Sequence, residues 1–301
     1  MPLAHRIAAL LSLALTLAGC GGTDAPTKTL RLAFTGLTQL QSGFVYEGWL
    51  LIDGKPRSTG RFNADASGAL VGTSGAVLVN GDFILDATLS ADAARATNVV
   101  ITVEQASVAG PSKSHYFAGA LSGAAANLTV AAPQALASDF AGAAGKFILA
   151  APTDSAPAHN LSGLWFIDLA SGSPAAGLTL PALPAGWVYE GWAVIGSTPV
   201  STGRFTAASG ADQAAPYSGT NPGPAFPGED FLRNAPSGLT FPTNLQGGKA
   251  VITIEPDPDD SPAPFALKPL LANIAAAAAD HTTYPLANQA ATFPTGTAAI
   301  R

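Results

Sequence analysis

From Leu30 onward the chain alternates short apolar runs with Gly, Pro, Asn and Asp, and few stretches carry the 3.6-residue period of a helix. In the first half the runs predict strands at 30–35, 44–52, 57–62, 82–87, 98–104, 115–121, 126–131 and 145–150. In the second half they predict strands at 164–169, 187–195, 199–206, 250–255, 265–271 and 296–300. The alanine-rich stretch 274–280 reads either as one or two helical turns, since Ala has the best helix propensity, or as a small-residue loop.

The pattern comes twice. GFVYEGWLLIDGKPRSTGRF (43–62) returns as GWVYEGWAVIGSTPVSTGRF (186–205), with 13 of 20 positions identical. VVITVE (99–104) matches AVITIE (250–255), and GKFILA (145–150) corresponds in position to GTAAIR (296–301). The first pair is offset by 143 residues and the second by 151, so the second copy holds about eight extra residues, placed in the Pro- and Gly-rich 207–249. These matches predict two tandem β-sandwich domains from an internal duplication, 29–150 and 162–301, joined by a linker at 151–161 (APTDSAPAHNL).

Within the doubled stretch, Tyr46, Leu50 and Ile52 face one side of a strand, and Val45, Trp49 and Leu51 face the other. Both sides are apolar, which predicts a central strand covered on each face and a core role for Tyr46, Trp49 and Phe62 and for Tyr189, Trp192 and Phe205. DGKP (53–56) is turn chemistry, so 44–62 reads as a hairpin. Glu47 is an acid among aromatics. An odd loop places it opposite Arg61; an even one places it opposite Phe62, with Arg61 opposite Gly48. A buried carboxylate needs a partner, so the expectation is two cross-strand ion pairs, Glu47–Arg61 and Glu190–Arg204.

The first residues alter the picture from fold to address. His5 and Arg6 precede an apolar run of 12 residues, Ile7 to Ala18, short of the roughly 20 needed to span a bilayer. The run ends Leu17-Ala18-Gly19-Cys20, and this ending resembles the lipobox of bacterial lipoproteins. That resemblance implies a signal peptide at 1–19, lipid attachment at Cys20, and a flexible tether over 20–28. Two or three acyl chains anchor a protein stably to a membrane. Cys20 is the only cysteine, which leaves none for disulfides. A net charge of −6 without any basic stripe argues against nucleic acid as a partner.

Candidate chemistry is sparse. Asp257, Asp259 and Asp260 lie within four positions and carry oxygens that suit Ca²⁺, but the EF-hand spacing is absent and the prolines favour a solvated turn. Glu229 and Asp230 read as a loop pair that joins this turn in a binding surface beside the VIT-containing strand. No GxSxG, HExxH, CxxC or phosphate-binding loop occurs, so no catalytic residue, metal or cofactor is assigned.

The hairpin and the later VIT strand together resemble the extracytoplasmic domain of anti-sigma-K factors. The matching residues are Tyr46, Trp49, Pro56, Ser58, Gly60, Phe62 and Glu104 in the first copy. In the second they are Tyr189, Trp192, Pro199, Ser201, Gly203, Phe205, Glu255 and Pro256. The resemblance implies a β-sandwich outside the cytoplasmic membrane with a sensing or interaction role and no catalysis. The expected protein is thus a non-enzymatic envelope lipoprotein that binds an envelope protein. A structural or adhesive surface module and a carbohydrate-active enzyme are the alternatives.

Overall fold

The structure is a computed structural model, and it describes residues 26–259 and 261–301. Cys20 and the segment 1–25, and also Asp260, lie outside the described residues. The strands of the first half are β1 (Thr29–Thr35), β2 (Phe44–Ile52), β3 (Lys55–Ala64), β4 (Leu70–Gly72), β5 (Asp82–Ile84), β6 (Ala96–Gln105), β7 (His115–Ala120) and β8 (Ala125–Thr129). Then follow β9 (Ala144–Leu149), β10 (Gly163–Trp165), β11 (Ile167–Asp168), β12 (Ala175–Ala176), β13 (Leu178–Thr179), β14 (Trp187–Ile195) and β15 (Thr198–Phe205). The chain ends with β16 (Gly228–Asp230), β17 (Lys249–Pro256), β18 (Leu270–Asn273), β19 (Tyr284–Asn288) and β20 (Thr295–Ile300).

The all-β expectation holds. One antiparallel sheet runs β4-β3-β2-β6-β7-β8-β20-β1-β5, and the other runs β15-β14-β17-β18-β19-β9-β10-β16, with β13 also paired to β9. Alternation along the strands turns Leu30 and Leu32, Tyr46 and Leu50, and Val99 and Ile101 to one side, where all are buried in the main core. Each sheet bends into a half-barrel so that its two ends face each other. Phe34 of β1 lies 5.2 Å from Phe117 of β7 and 6.3 Å from Phe62 of β3, ring centre to ring centre. Phe62 in turn lies 5.2 Å from Phe83 of β5. The two cores join through Tyr116, which lies 6.0 Å from Trp187 and 5.4 Å from Phe265.

The sheets do not divide at 151–161. β20, the last strand of the chain, sits in the first sheet between β8 and β1; β9 sits in the second, between β19 and β10. The registers agree residue for residue. Leu30↔Ile300 and Arg31↔Ala299 correspond to Leu164↔Leu149 and Trp165↔Ile148, and Leu128↔Gly296 corresponds to Leu286↔Gly145. GKFILA and GTAAIR therefore occupy the same place, each in the other half's sheet. The physical reason is connectivity: β9 leads by a short segment into β10, and consecutive strands tend to lie side by side. The place between β8 and β1 is then left for the C-terminal strand. Nor is 151–161 a loose connector. Ala151 and Thr153 are buried, and Thr153 is bonded to Asp230 through both its amide and its hydroxyl.

Local departures have local causes. The run 164–169 breaks between β10 and β11, where the backbone N–H of Phe166 donates to Pro227 outside any ladder. Of 265–271 only the end is strand, because Phe265 and Lys268 belong to a loop across Glu255. Residues 274–280 form turns and no helix. The six-residue helix α1 (Ala87–Asp92) starts instead at Asp86, whose side chain accepts from the Leu89 amide as an N-cap.

Candidate functional site

The doubled hairpin is built around a β-bulge. Its turn holds two residues, Asp53 and Gly54, both with positive φ, as a type I′ turn requires. An even loop alone does not set Glu47 against Arg61. The register shifts between Gly48 and Trp49, so that Gly48 faces Gly60 while Trp49 faces Ser58, and Thr59 is the extra residue. That single residue brings Arg61 opposite Glu47. The second hairpin repeats the shift at Thr202, with Gly203 in the same positive-φ conformation as Gly60.

In the first copy the carboxylate of Glu47, 5% exposed, accepts from Ser58 Oγ at 2.5 Å and from Arg61 Nε at 2.7 Å. The expected Glu47–Arg61 pair is therefore present. Arg61 uses its other nitrogens on the carbonyls of Ala106 and Val108, at 2.9 and 2.5 Å, and so holds the loop that follows β6. The six core aromatics of the two hairpins are buried as expected. Tyr46 and Tyr189 each donate to a carbonyl eight residues upstream, Thr38 and Pro181, at 2.8 and 2.7 Å. Trp49 and Trp192 donate to Thr102 and Thr253 at 2.9 and 2.8 Å. Trp49 lies on the outer face, in a small cluster with Val100, Ala118, Ala132 and Ala135, so the strand is indeed covered on both sides.

The second ion pair is not formed. Glu190 and Arg204 face each other in register, yet Arg204 Nη2 donates to Pro256 O and Asp257 Oδ1, both at 3.2 Å. Among the described residues, Oε2 of Glu190 and Nε of Arg204 are buried without a hydrogen-bond partner. The cause is the turn after β17. It offers the Asp257 carboxylate where the first copy offers only carbonyls, and the guanidinium follows the charge. Burial, reinforced by the nearby Asp259, raises Glu190 to about 7. Glu255 behind it, 1% exposed, accepts from the Phe265 amide at 2.9 Å and is raised to about 8, again chiefly by burial.

In both copies the motif arginine thus supports the turn after the VIT strand, and both turns line the seam between the half-barrels. One cleft of about 190 Å³ is walled by Thr38, Gln41 and Phe44 of the first half and by Asp259, Phe265 and Lys268 of the second. Lys268 donates to Phe265 O at 2.7 Å, and burial lowers its pKa. A second cleft of about 270 Å³ shares Phe44 and Val103 with the first and is closed by Pro111 and Lys113 opposite Asp257 and Pro258. The seam itself is fastened by side-chain bonds to main-chain carbonyls. Ser114 Oγ donates to Gly186 O at 2.8 Å, and Trp187 Nε1 donates to His115 O at 3.2 Å.

Of the acidic surface expected from the sequence, Asp257 and Asp259 do line these clefts, but Glu229 and Asp230 do not join them. Both are fully buried in β16, with zero exposure. Asp230 accepts from Trp165 Nε1 at 2.6 Å and from the Thr153 amide at 2.8 Å, and so ties the 151–161 segment down. Glu229 accepts from Ser218 Oγ and is raised to about 7 by burial. They read as loop residues because an acid pair between Pro and Phe has no apolar signature. Their burial depends on the 207–249 segment folding over them.

Sequence reasoning did not single out Asp212. It accepts from the Gly228 amide at 3.0 Å, packs on the bulge glycine Gly203, and is raised to about 7, first by burial and then by the charge of Glu229. It opens with Trp165, Asn221 and Phe226 onto a pocket of about 340 Å³. Its only sequence signal was its place in the inserted segment. Among the described residues no group of three or more His, Cys, Asp or Glu is placed to hold a metal ion, and no helix is long and apolar enough to cross a membrane. Comparison of the chain with protein-family models, with curated proteins and with solved structures finds no match.

Proposed function

We propose that this protein is a non-enzymatic lipoprotein of a bacterial cell envelope, held to a membrane through acylated Cys20, and that it binds a protein partner along the seam between its half-barrels. The observation that carries the binding role is the pair of adjoining clefts at that seam. At about 190 and 270 Å³ each lies below the roughly 300–1,000 Å³ of sites for small organic ligands. Neighbouring recesses of that size suit anchor side chains from one protein surface, where a few buried residues supply most of the affinity. Their walls combine Phe44 and Phe265 with Lys113 and Lys268 and with Asp257 and Asp259, so a partner segment with apolar anchors and both signs of charge is complementary. The likeness of the two hairpins to anti-sigma-K extracytoplasmic domains supports an interaction role.

A photo-crosslinking residue at Gln41, which is exposed on the cleft wall, tests this in intact envelopes. The expected result is a saturable adduct that is absent when the probe stands at exposed Ser173. Equal labelling from both positions would overturn the seam as the binding surface. The anchor is tested apart from this: Cys20→Ser is expected to release the protein from the membrane fraction, and unchanged retention refutes lipid attachment there.

A further inference from the structure

The exchange of β9 and β20 has a consequence for association. We propose that the slot between β1 and β8 is a strand-acceptor site, and that a second copy of this chain fills it with its own β20, giving a reciprocal dimer. The occupant of the slot already comes from the far end of the chain and is joined to the first sheet by no adjoining sequence. β20 pairs with β1 over six positions and with β8 over five. Its side chains contribute little beyond that: within Thr295–Ile300 only Ala298 is buried. The strand is thus held chiefly by two main-chain ladders, closed at the end by the reciprocal bonds of Thr29 and Arg301 at 2.9 and 2.8 Å. A second copy offers the same ladders atom for atom.

The contrast with β9 explains why β20 is the strand that moves. β9 buries Phe147, Ile148 and Leu149 and continues into chain at both ends, so it cannot leave its place without threading. β20 is terminal. Asn288, at the end of β19, donates to the carbonyls of Phe140 and Ala143, both at 2.8 Å, which fixes the chain just before the departing segment. Residues 289–294 then serve as the hinge. Withdrawal leaves the edges of β1 and β8 with unpaired main-chain groups, which is unfavourable for an open monomer and is relieved when another copy supplies the strand. The closed monomer and the reciprocal dimer make the same contacts, so concentration decides between them.

The test uses residues 26–301, which contain no cysteine. Ala33 and Thr297 are cross-strand partners on exposed positions of β1 and β20. The double variant Ala33→Cys/Thr297→Cys is expected to close a disulfide within one chain. An equimolar mixture of the two single variants, unfolded and refolded together before oxidation, is expected to form a mixed dimer joined through positions 33 and 297. Its yield should rise with protein concentration during refolding and exceed that of either homodimer; a mixture never unfolded should form much less. If the double variant closes its disulfide while the refolded mixture gives no excess of mixed dimer at any concentration, the proposal is overturned. Failure of the double variant to close overturns it as well, because β20 then does not occupy the slot.

Discussion

Gly48 and Gly191 sit where no side chain fits. A Cβ on either would stand 2.5 or 2.2 Å from the Oγ1 of Thr59 or Thr202, the bulged residues. Gly48→Ala is therefore expected to destabilise by about 1–3 kcal/mol, read as a lower urea midpoint, and Thr59→Ala in the same chain should recover part of the loss. Those two hydroxyls are buried and have no hydrogen-bond partner among the described residues. Thr202→Val should accordingly leave stability unchanged or raise it by about 1 kcal/mol. The arginines divide in the same way. Arg61→Met strands the Glu47 carboxylate and should cost about 3–5 kcal/mol, whereas Arg204→Met removes contacts to a half-exposed aspartate and a carbonyl and should cost clearly less. Equal losses from the two substitutions would contradict the geometry.

At the scale of elements, the bulge is the device that turns a two-residue hairpin into a Glu–Arg register. A two-residue loop alone leaves Glu47 off Arg61, and Thr59, beside a Gly at positive φ, is the extra residue that restores the pairing. β14, β16, β17 and the segment that precedes β16 bring in a different effect, because they carry carboxyls pushed up by burial. Glu255 lies at about 8, and Glu190, Glu229 and Asp212 at about 7. A carboxyl whose folded pKa is raised binds its proton more tightly in the native state. Its contribution is complete below the unfolded value of about 4.3 and is lost as pH rises through the folded one. Thermal midpoints should therefore fall from about pH 5 to pH 8, and Glu255→Gln should flatten the upper part of that decline. A midpoint that stays level or rises over this range would contradict the raised values of these four groups.

For the whole molecule, the strand exchange makes the halves interdependent. Deleting residues 290–301 removes a strand from the first sheet although the cut lies in the second half of the chain. Hydrogen exchange of the truncated protein should accelerate at β1 and β8 and remain slow at β14 and β17; loss of protection in the second sheet first would contradict the topology. The local pattern of the chain was enough for the all-β class, the central hairpins, their six buried aromatics and the Glu47–Arg61 pair. Each of these follows from side-chain alternation and from the cost of burying an unpaired charge. Three things were decided only by tertiary structure: which sheet receives GKFILA and which GTAAIR, where Arg204 turns, and whether Glu229 and Asp230 meet water. Strand partners are chosen by connectivity and by the free edge that remains, and two equivalent strands carry the same local pattern wherever they go. A guanidinium chooses among the carboxylates that folding brings within reach, and an acid's burial depends on the distant segment that closes over it. None of these is written in the neighbours along the chain.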